Sequence, residues 1–446
     1  MTQVLESSLR IHLLPKEAGS SAIATIAFRF MPLLTGCFLA AYIDRVNVSF
    51  AALTANRDLG LSSSEFGWGA GLFFLGYFLA ETPSNVMLTK VGPRRWFARI
   101  MITMGLVAAA TSMVVGPRSF YVARFLLGTC EAGLLPGVIW FFRQWIPKQY
   151  RAQYMAVFLL AIPLASVIGA PLSGAIMQLD GLYGFKGWQL MYVIEALPCL
   201  VLGVLLLIFL TEKRADATWL DGAQKSWLDA QFAAERPAEI RHEKAATWRL
   251  MLDGRVLTYG LAFFGVLCGS YGLTLWLPQM VHAFGASSLG TGLITAIPFV
   301  FGCVATVVLA RSSDRSGERT WHVAGPALCS AVGLALATLT ASPVVIMAAI
   351  SMAAVGIFGL RGTFFALLSE EFSDADSAIG IAAVGAYSSL AGLIGPWVVG
   401  LLKEATGGFD AGMLFLSLMS LMSAAIVLMR SRHVRRARRS VASLTL

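Results

Sequence analysis

Apolar residues in this chain come in long runs, neither alternating as in a half-buried strand nor confined to one helical stripe. A helix needs about twenty residues to cross the hydrocarbon core of a bilayer. Twelve runs of that order lie near 26–51, 66–87, 97–115, 119–142, 154–177, 189–210, 256–278, 290–309, 322–341, 344–367, 378–402 and 412–430. The pattern predicts an all-α membrane protein with twelve transmembrane helices. Connections are short except for 211–255, a charged stretch that includes Asp216, Lys225, Glu235, Arg236, Glu239, Arg241, Glu243 and Lys244. This gives an expected order of a segment 1–25, a six-helix bundle 26–210, a partly helical central loop 211–255, a second six-helix bundle 256–430 and a basic tail 431–446.

The two halves echo each other. Asn85-Val-Met-Leu-Thr-Lys90-Val-Gly92-Pro-Arg94-Arg95 follows the second run, and Ala310-Arg-Ser-Ser-Asp314-Arg315-Ser-Gly317-Glu318-Arg319 follows the eighth. Turn-and-cation segments at equivalent places mark two six-helix pseudo-repeats. Duplicated membrane units of this kind place a binding site between the halves, near mid-membrane.

Composition and charge sharpen this picture. The chain is 57% hydrophobic and only 13% charged, too little charge for a soluble surface of this size. The net charge of +9 does not point to nucleic acid, because the cations lie in short segments between apolar runs and in the tail. With the N-terminus in the cytoplasm, the inside segments carry Lys90, Arg94, Arg95, Arg99, Arg143, Lys148, Arg151, Arg311, Arg315, Arg319 and six tail arginines. The outside segments carry Arg57, Arg118, Lys186 and Lys403. Sixteen against four follows the positive-inside rule and puts both termini in the cytoplasm. The first apolar run starts too late and runs too long for a cleavable signal.

The six cysteines, Cys37, Cys130, Cys199, Cys268, Cys303 and Cys329, lie in apolar runs without a CxxC pair. They read as buried small residues, with no disulfide framework and no metal site. His12, His242, His282, His322 and His433 fall outside the runs or at their ends. No nucleotide, HExxH or GxSxG motif is present, so an enzyme, a cofactor and a nucleic-acid partner are not expected.

Three of the 34 Lys and Arg residues fall well inside apolar stretches: Arg45, Arg124 and Arg361. A cation at the centre of a membrane helix costs about 2.5–3.5 kcal/mol on insertion scales. Such residues are kept because they face a partner, a cavity or a substrate. In Tyr42-Ile-Asp44-Arg45-Val-Asn47, a turn of about 100° per residue puts Asp44 and Asn47 on one face and Tyr42 and Arg45 on another. Glu131 lies seven residues beyond Arg124, roughly 10 Å deeper. Asp44 and Arg124 lie at similar depth, so a pair between their helices is sterically reasonable. Glu131 has no neighbour in sequence to neutralise it. Burial disfavours the charged form of a carboxyl, as a proton carrier requires. Arg361 either binds substrate or pairs with an acid in an inner gate. Glu81 reads as structural, and Glu195 is expected near enough to the outer surface to reach water. Tyr77, Trp140, Tyr271, Trp276, Gln279 and Tyr387 lie on spans and are further candidates for a cavity wall, with packing the more ordinary role.

These residues carry a resemblance. Asp44-Arg45-Val-Asn47-Val-Ser49-Phe50, Phe73-Phe-Leu-Gly76-Tyr77-Phe78 with Pro83-Ser84-Asn85, Arg124-Phe-Leu-Leu-Gly128 with Glu131-Ala-Gly133 and Pro136, Trp276-Leu-Pro278-Gln279, and Gly392-Leu-Ile-Gly395-Pro396 look like the anion:cation symporter family of the major facilitator superfamily. The likeness covers nearly the whole chain and leans toward the tartrate, phthalate and 4-hydroxyphenylacetate permeases.

The resemblance implies import of a small organic anion with protons by alternating access, in a bacterial inner membrane, by a monomer. It implies that Arg45 holds the substrate carboxylate, that Asp44 exchanges partners with Arg124 and takes a proton, and that Glu131 is the second proton site. Tyr42 and Tyr77 match cavity-lining positions. The superfamily's gating motif makes Lys90, Gly92, Arg94, Asp314, Arg315 and Gly317 candidate gating residues, and Thr89 and Pro93 depart from it. In the tenth run Gly362-Thr-Phe-Phe365-Ala-Leu-Leu368 replaces the usual Gly-Pro-Phe-Trp-Ala-Leu-Pro, with Arg361 before it. In the eleventh, Gly385 stands where Asn is usual, near Tyr387, Ser388 and Ser389. Tyr387 and Ser388 are candidate substrate contacts. An added Arg361 suits a dicarboxylate or an aromatic acid with two anionic groups. A proton-independent uniporter or exporter is the alternative.

Overall fold

The computed structural model describes residues 16–235, 249–372 and 377–444, and the side chains of the tail only as far as 431. Arg236, Glu239, Arg241, Glu243, Lys244, His12 and His242 lie outside the described residues, as do the side chains of His433 and of the tail arginines beyond Arg430. Among the described residues, every regular element is a helix.

The first half comprises α1 (Lys16–Leu59), α2 (Ser63–Val91), α3 (Pro93–Ala110), α4 (Pro117–Glu131) continued by α5 (Leu134–Trp145), α6 (Lys148–Leu159) continued by α7 (Ala161–Ile176), and α8 (Gly187–Phe209). A connecting helix α9 (Gly222–Ala234) follows. The second half comprises α10 (Gly254–His282), α11 (Ser288–Ser316), α12 (Thr320–Leu336), α13 (Pro343–Gly359) continued by α14 (Arg361–Glu371), α15 (Ser377–Ser389) continued by α16 (Ala391–Thr406), and α17 (Asp410–Leu444).

Ten of the described segments are long and apolar enough to cross a membrane. The helices α2 and α12 complete the expected twelve. The first is 29 residues long but carries Glu81 in its interior, with Glu65 and Lys90 in its end turns. The second is apolar but only 17 residues long, the lower limit for a span.

Packing repeats the sequence duplication. In the first half α2 packs on α4, α3 on α8, and α1 on α7 and α8. In the second, α11 packs on α13, α12 on α17, and α10 on α15, α16 and α17. The halves meet mainly through α2 against α16 and α7 against α11.

Both of these contacts lie at one end. We call the end where α1 begins and α17 ends the near end and the other the far end. At the far end small residues let backbones touch: a Cβ on Gly400 would lie 2.4 Å from the Ser63 carbonyl oxygen, and one on Gly174 2.5 Å from that of Ser288. Toward the near end the halves separate. There α15 touches α2 only lightly, and α6 packs on α1, α5 and α7 rather than on α11. The helix α9 docks on the start of α1, where Gln224 donates to Ser21 Oγ at 2.9 Å.

Several helices are broken, for local reasons. Pro136 lacks an N–H and its ring crowds the carbonyl of Ala132, so the helix stops after Glu131 and restarts at Leu134. Ser84 Oγ donates to the freed Ala132 carbonyl at 2.6 Å. A second break separates Gly359 from Arg361, and Thr306 Oγ1 donates to the Phe358 carbonyl at 3.2 Å. Side-chain hydroxyls that satisfy freed backbone groups are what make such breaks tolerable in a membrane.

Candidate functional site

The helix breaks set the positions of two charges. Glu131 is the last residue of α4 and Arg361 the first of α14. A carboxylate at a helix C-terminus and a cation at an N-terminus both oppose the helix dipole, by about 0.3–1 kcal/mol each. Each charge therefore needs an outside partner.

Glu131 has one. Arg45 on α1 donates to its Oε1 from Nε at 2.8 Å and from Nη2 at 2.5 Å. Glu131 is 1% exposed. The Arg45 guanidinium also stacks 4.5 Å from the Tyr42 ring, 5.0 Å from Phe73 and 5.2 Å from Tyr77. Tyr42 and Tyr77 thus belong to the wall around Arg45, with Tyr42 facing the cavity directly.

Arg124 does not form the hydrogen-bonded pair with Asp44 that equal depth suggested. It is 2% exposed, its Nε and Nη1 have no hydrogen-bond partner, and its guanidinium lies 5.2 Å from the same Phe73 ring. The Phe73 ring is close to both arginines. Asp44 is fully buried and near enough to feel the charge of Arg124, but its hydrogen bond comes from Asn47 Nδ2 at 3.1 Å. The helical spacing of 44 and 47 makes that intrahelical contact possible.

Arg361 pairs with no acid among the described residues. Its Nη2 donates to Ser270 Oγ at 2.5 Å, its guanidinium lies 5.0 Å from the Phe358 ring, and its Nε lacks a partner. Arg45, Arg124 and Arg361 all border one cavity between the halves. Its wall includes Phe73 and Phe74 from the first half and Tyr271 and Phe358 from the second, with Ser166, Ser270 and Thr274 as neutral polar groups. Phe74 and Tyr271 meet across the halves with ring centroids 4.3 Å apart.

Other candidates are placed differently. Tyr387 and Ser388 are not on the cavity wall. The Tyr387 hydroxyl donates to the Met251 carbonyl at 3.3 Å, and Ser388 is buried with its hydroxyl bonded back to Val384 at 2.7 Å. The break between α15 and α16 turns that face toward α10 and away from the cavity. Glu195 does not reach water. It is 3% exposed and accepts from Ser173 Oγ at 2.7 Å. Trp276 Nε1 donates to the Pro396 carbonyl at 3.1 Å, a packing role at the far end.

In the gating candidates, Gly92 and Gly317 have φ of +93° and +66° and close the helices before them. Lys90 and Arg315 are exposed. Arg94 donates from Nε to the Leu207 carbonyl, inside the first half. Asp314 pairs at 2.7 Å with Arg319, which also reaches Glu370 on α14 at 3.3 Å. Arg319, rather than Arg315, links the segments here. Its spacing of five from Asp314 suits a turn, and only the turn brings them together.

Sequence reasoning missed Phe358, Ser270 and Arg319 as partners, and Arg99 as an embedded cation. Arg99 is half-buried, with its guanidinium 4.0 Å from the Trp96 ring. A polar Ser270-Tyr271 pair within an otherwise apolar run was the one available signal.

Known proteins match this chain broadly. The Major Facilitator Superfamily profile matches residues 33–396 and 260–444. A protein of Agrobacterium vitis named "Putative tartrate transporter" is 43% identical over 91% of this chain and 90% of its own length. A "Quinolone resistance transporter" of Acinetobacter baumannii is 38% identical over 90% of this chain and 92% of its own. Among solved structures, a bacterial homologue of the human lysosomal transporter Spinster, in an inward-facing and unoccupied conformation, superposes with a TM-score of 0.75 at 15% identity. It covers 94% of this chain and 98% of that one.

Proposed function

Since this chain belongs to the major facilitator superfamily, we propose that it imports a small organic anion together with protons. It is a multi-pass membrane transporter rather than an enzyme. The carrying observation is that Arg124 and Arg361, one from each half, line the same cavity without a carboxylate partner among the described residues. Buried guanidiniums without partners are costly, and a carboxylate offers them bidentate, charge-assisted hydrogen bonds. A dicarboxylate, or an aromatic acid with a second anionic group, would give a partner to each half at once. The rings of Phe73, Phe74, Tyr271 and Phe358 would cover its apolar body.

The Arg45–Glu131 pair supports coupling. Protonation of Glu131 removes its claim on Arg45, which then turns to the substrate carboxylate. Loss of that proton lets Glu131 take Arg45 back and expel the anion. Asp44 is the second proton site, next to Arg124. Rocking of the halves about the cavity alternates access. With both termini in the cytoplasm of a bacterial inner membrane, the near end is inside and the described state opens inward. The halves are 26–210 and 256–430, and the transporter works as a monomer.

A proton-independent uniporter or exporter is the competing reading, favoured by the relative named for quinolone resistance. Uptake of labelled acids into proteoliposomes, with and without an inward proton gradient, separates the two. The panel holds sugar acids, tartrate-like diacids, and aromatic mono- and diacids. Gradient-driven accumulation of one class is expected. Equilibration alone would remove the proton roles of Asp44 and Glu131.

A further inference from the structure

Behind the cavity, on the far side of Asp44, lies a polar cluster that the transport cycle above does not use. It joins α1, α7 and α8. Ser173 Oγ donates to Glu195 Oε1 at 2.7 Å and Asn47 Nδ2 donates to Asp44 Oδ1 at 3.1 Å, with Glu195 beside the Asn47 amide. Asp44, Asn47 and Ser173 are 0% exposed, and Glu195 is 3% exposed.

The cluster has too few donors. Asp44 Oδ2, Asn47 Oδ1 and Glu195 Oε2 are buried acceptor oxygens with no partner, against the single unpaired hydroxyl of Tyr192 beside them. Buried polar atoms are nearly always paired, and an ionised carboxyl can only accept. The groups that face Glu195 supply no cation. They are Asp44 from α1 and Tyr192 and Cys199 from α8 itself. From α7 the contact is the neutral Ser173, and α3 meets α8 there through Gly105 against Ala196 and Leu200. Arg124 stands beyond Asp44 and Tyr192. A proton on Glu195 turns one surplus acceptor into a donor and removes a buried charge that nothing balances.

We propose that Glu195, held by Ser173 and beside Asn47, is a proton-loading site that serves Asp44 from the far side of the cavity. This rests on the proton-symport reading. Glu195 begins about two turns inside the far end of α8, which starts at Gly187. When the far end opens, its carboxyl takes a proton from water. It gives that proton to Asp44, and the Glu195 carboxylate is reprotonated from the far side in the next cycle. The proton moves as H⁺ between two carboxyl groups, and no other reactant is needed. Asn47 is a positioning residue that spaces the two acids.

The test compares wild type with Glu195→Gln, a neutral isostere, in proteoliposomes with a pH-sensitive dye inside. Three quantities are read: net uptake against far-side pH, substrate exchange, and protons moved per substrate. Net uptake by Glu195→Gln is expected to fall about a hundredfold, the contribution typical of a positioned proton donor. Exchange and the proton ratio should stay as in wild type. Ser173→Ala keeps the carboxyl but removes its donor, and should shift the pH midpoint of uptake without changing exchange. This second variant decides the matter should Glu195→Gln fail to fold. A wild-type pH profile in both variants would make Glu195 a permanent structural acid and overturn the proposal. A lower proton ratio would make it a transported-proton site instead of a relay, and dependence on sodium would assign the oxygens to a metal cation. Either result also overturns the proposal. Absence of proton movement in wild type would instead sink the symport reading itself.

Discussion

Nε and Nη2 of Arg45 both donate to a single oxygen of Glu131, Oε1, at 2.8 and 2.5 Å, and leave Glu131 Oε2 without a donor. The pair is thus complete on one side and open on the other. A proton arriving at Oε2 weakens the hold on Arg45 without any movement of the backbone.

Glu131→Gln mimics the protonated acid. It should retain substrate exchange and lose uphill accumulation, measured as counterflow against gradient-driven uptake in the same vesicles. Loss of both would assign Glu131 to binding or folding. Arg45→Ala should be worse, because it leaves a buried acid with no counter-charge. A cost of about 3 kcal/mol is expected for breaking such a pair, visible as a lower unfolding temperature in detergent along with lost transport.

Arg361 separates diacids from monoacids. Its charge-assisted bonds to a second carboxylate are worth about 1.5–3 kcal/mol, so Arg361→Ala should weaken half-saturation for a diacid by roughly tenfold to a hundredfold. A monoacid of similar shape should be nearly unaffected. Equal loss for both would place Arg361 at the first carboxylate, and no loss for either would remove it from the site.

The far-end seam can be wedged. A Cβ at position 174 already meets the Ser288 carbonyl oxygen at 2.5 Å, so Gly174→Val cannot fit the closed seam and should favour the state open at the far end. Ser166 borders the cavity, and a Ser166→Cys reporter read with a membrane-impermeant thiol reagent should become more reactive from the far side. Unchanged labelling would show that the seam is not what holds this end shut.

Glu318 caps α12 in the turn after α11. Burial alone would push its carboxyl up, but hydrogen bonds from the Trp321 and His322 amides and the His322 ring outweigh it and hold the group below its ordinary value. Its stabilising effect is therefore full above the ordinary carboxyl range and fades as pH falls through the lowered value. Glu318→Ala should cost about 1 kcal/mol, as for other lost helix caps, with the difference from wild type vanishing in acid.

Much of the architecture was written in the runs of apolar residues, because a span must satisfy its backbone within itself and announces itself by length. The embedded Asp44, Arg45, Arg124, Glu131 and Arg361 stood out for the same reason: charge is rare where water is absent. Even the helix break beside Glu131 follows from Pro136, four residues beyond Ala132.

Which charge meets which could not be read this way. By depth, Asp44 was matched with Arg124, yet the rotation of α1 against α4 gives Arg45 to Glu131 and Asn47 to Asp44. Tyr387 and Glu195 were misplaced for a related reason, since the turning of α15 and the packing of α7 on α1 and α8 decide what faces the cavity and what reaches water. The sequence by itself determined the helices, their number and the charges they carry, because those depend on local composition. Partners and exposure were decided only by the tertiary structure, because they depend on how each helix is rotated against neighbours far away in the chain.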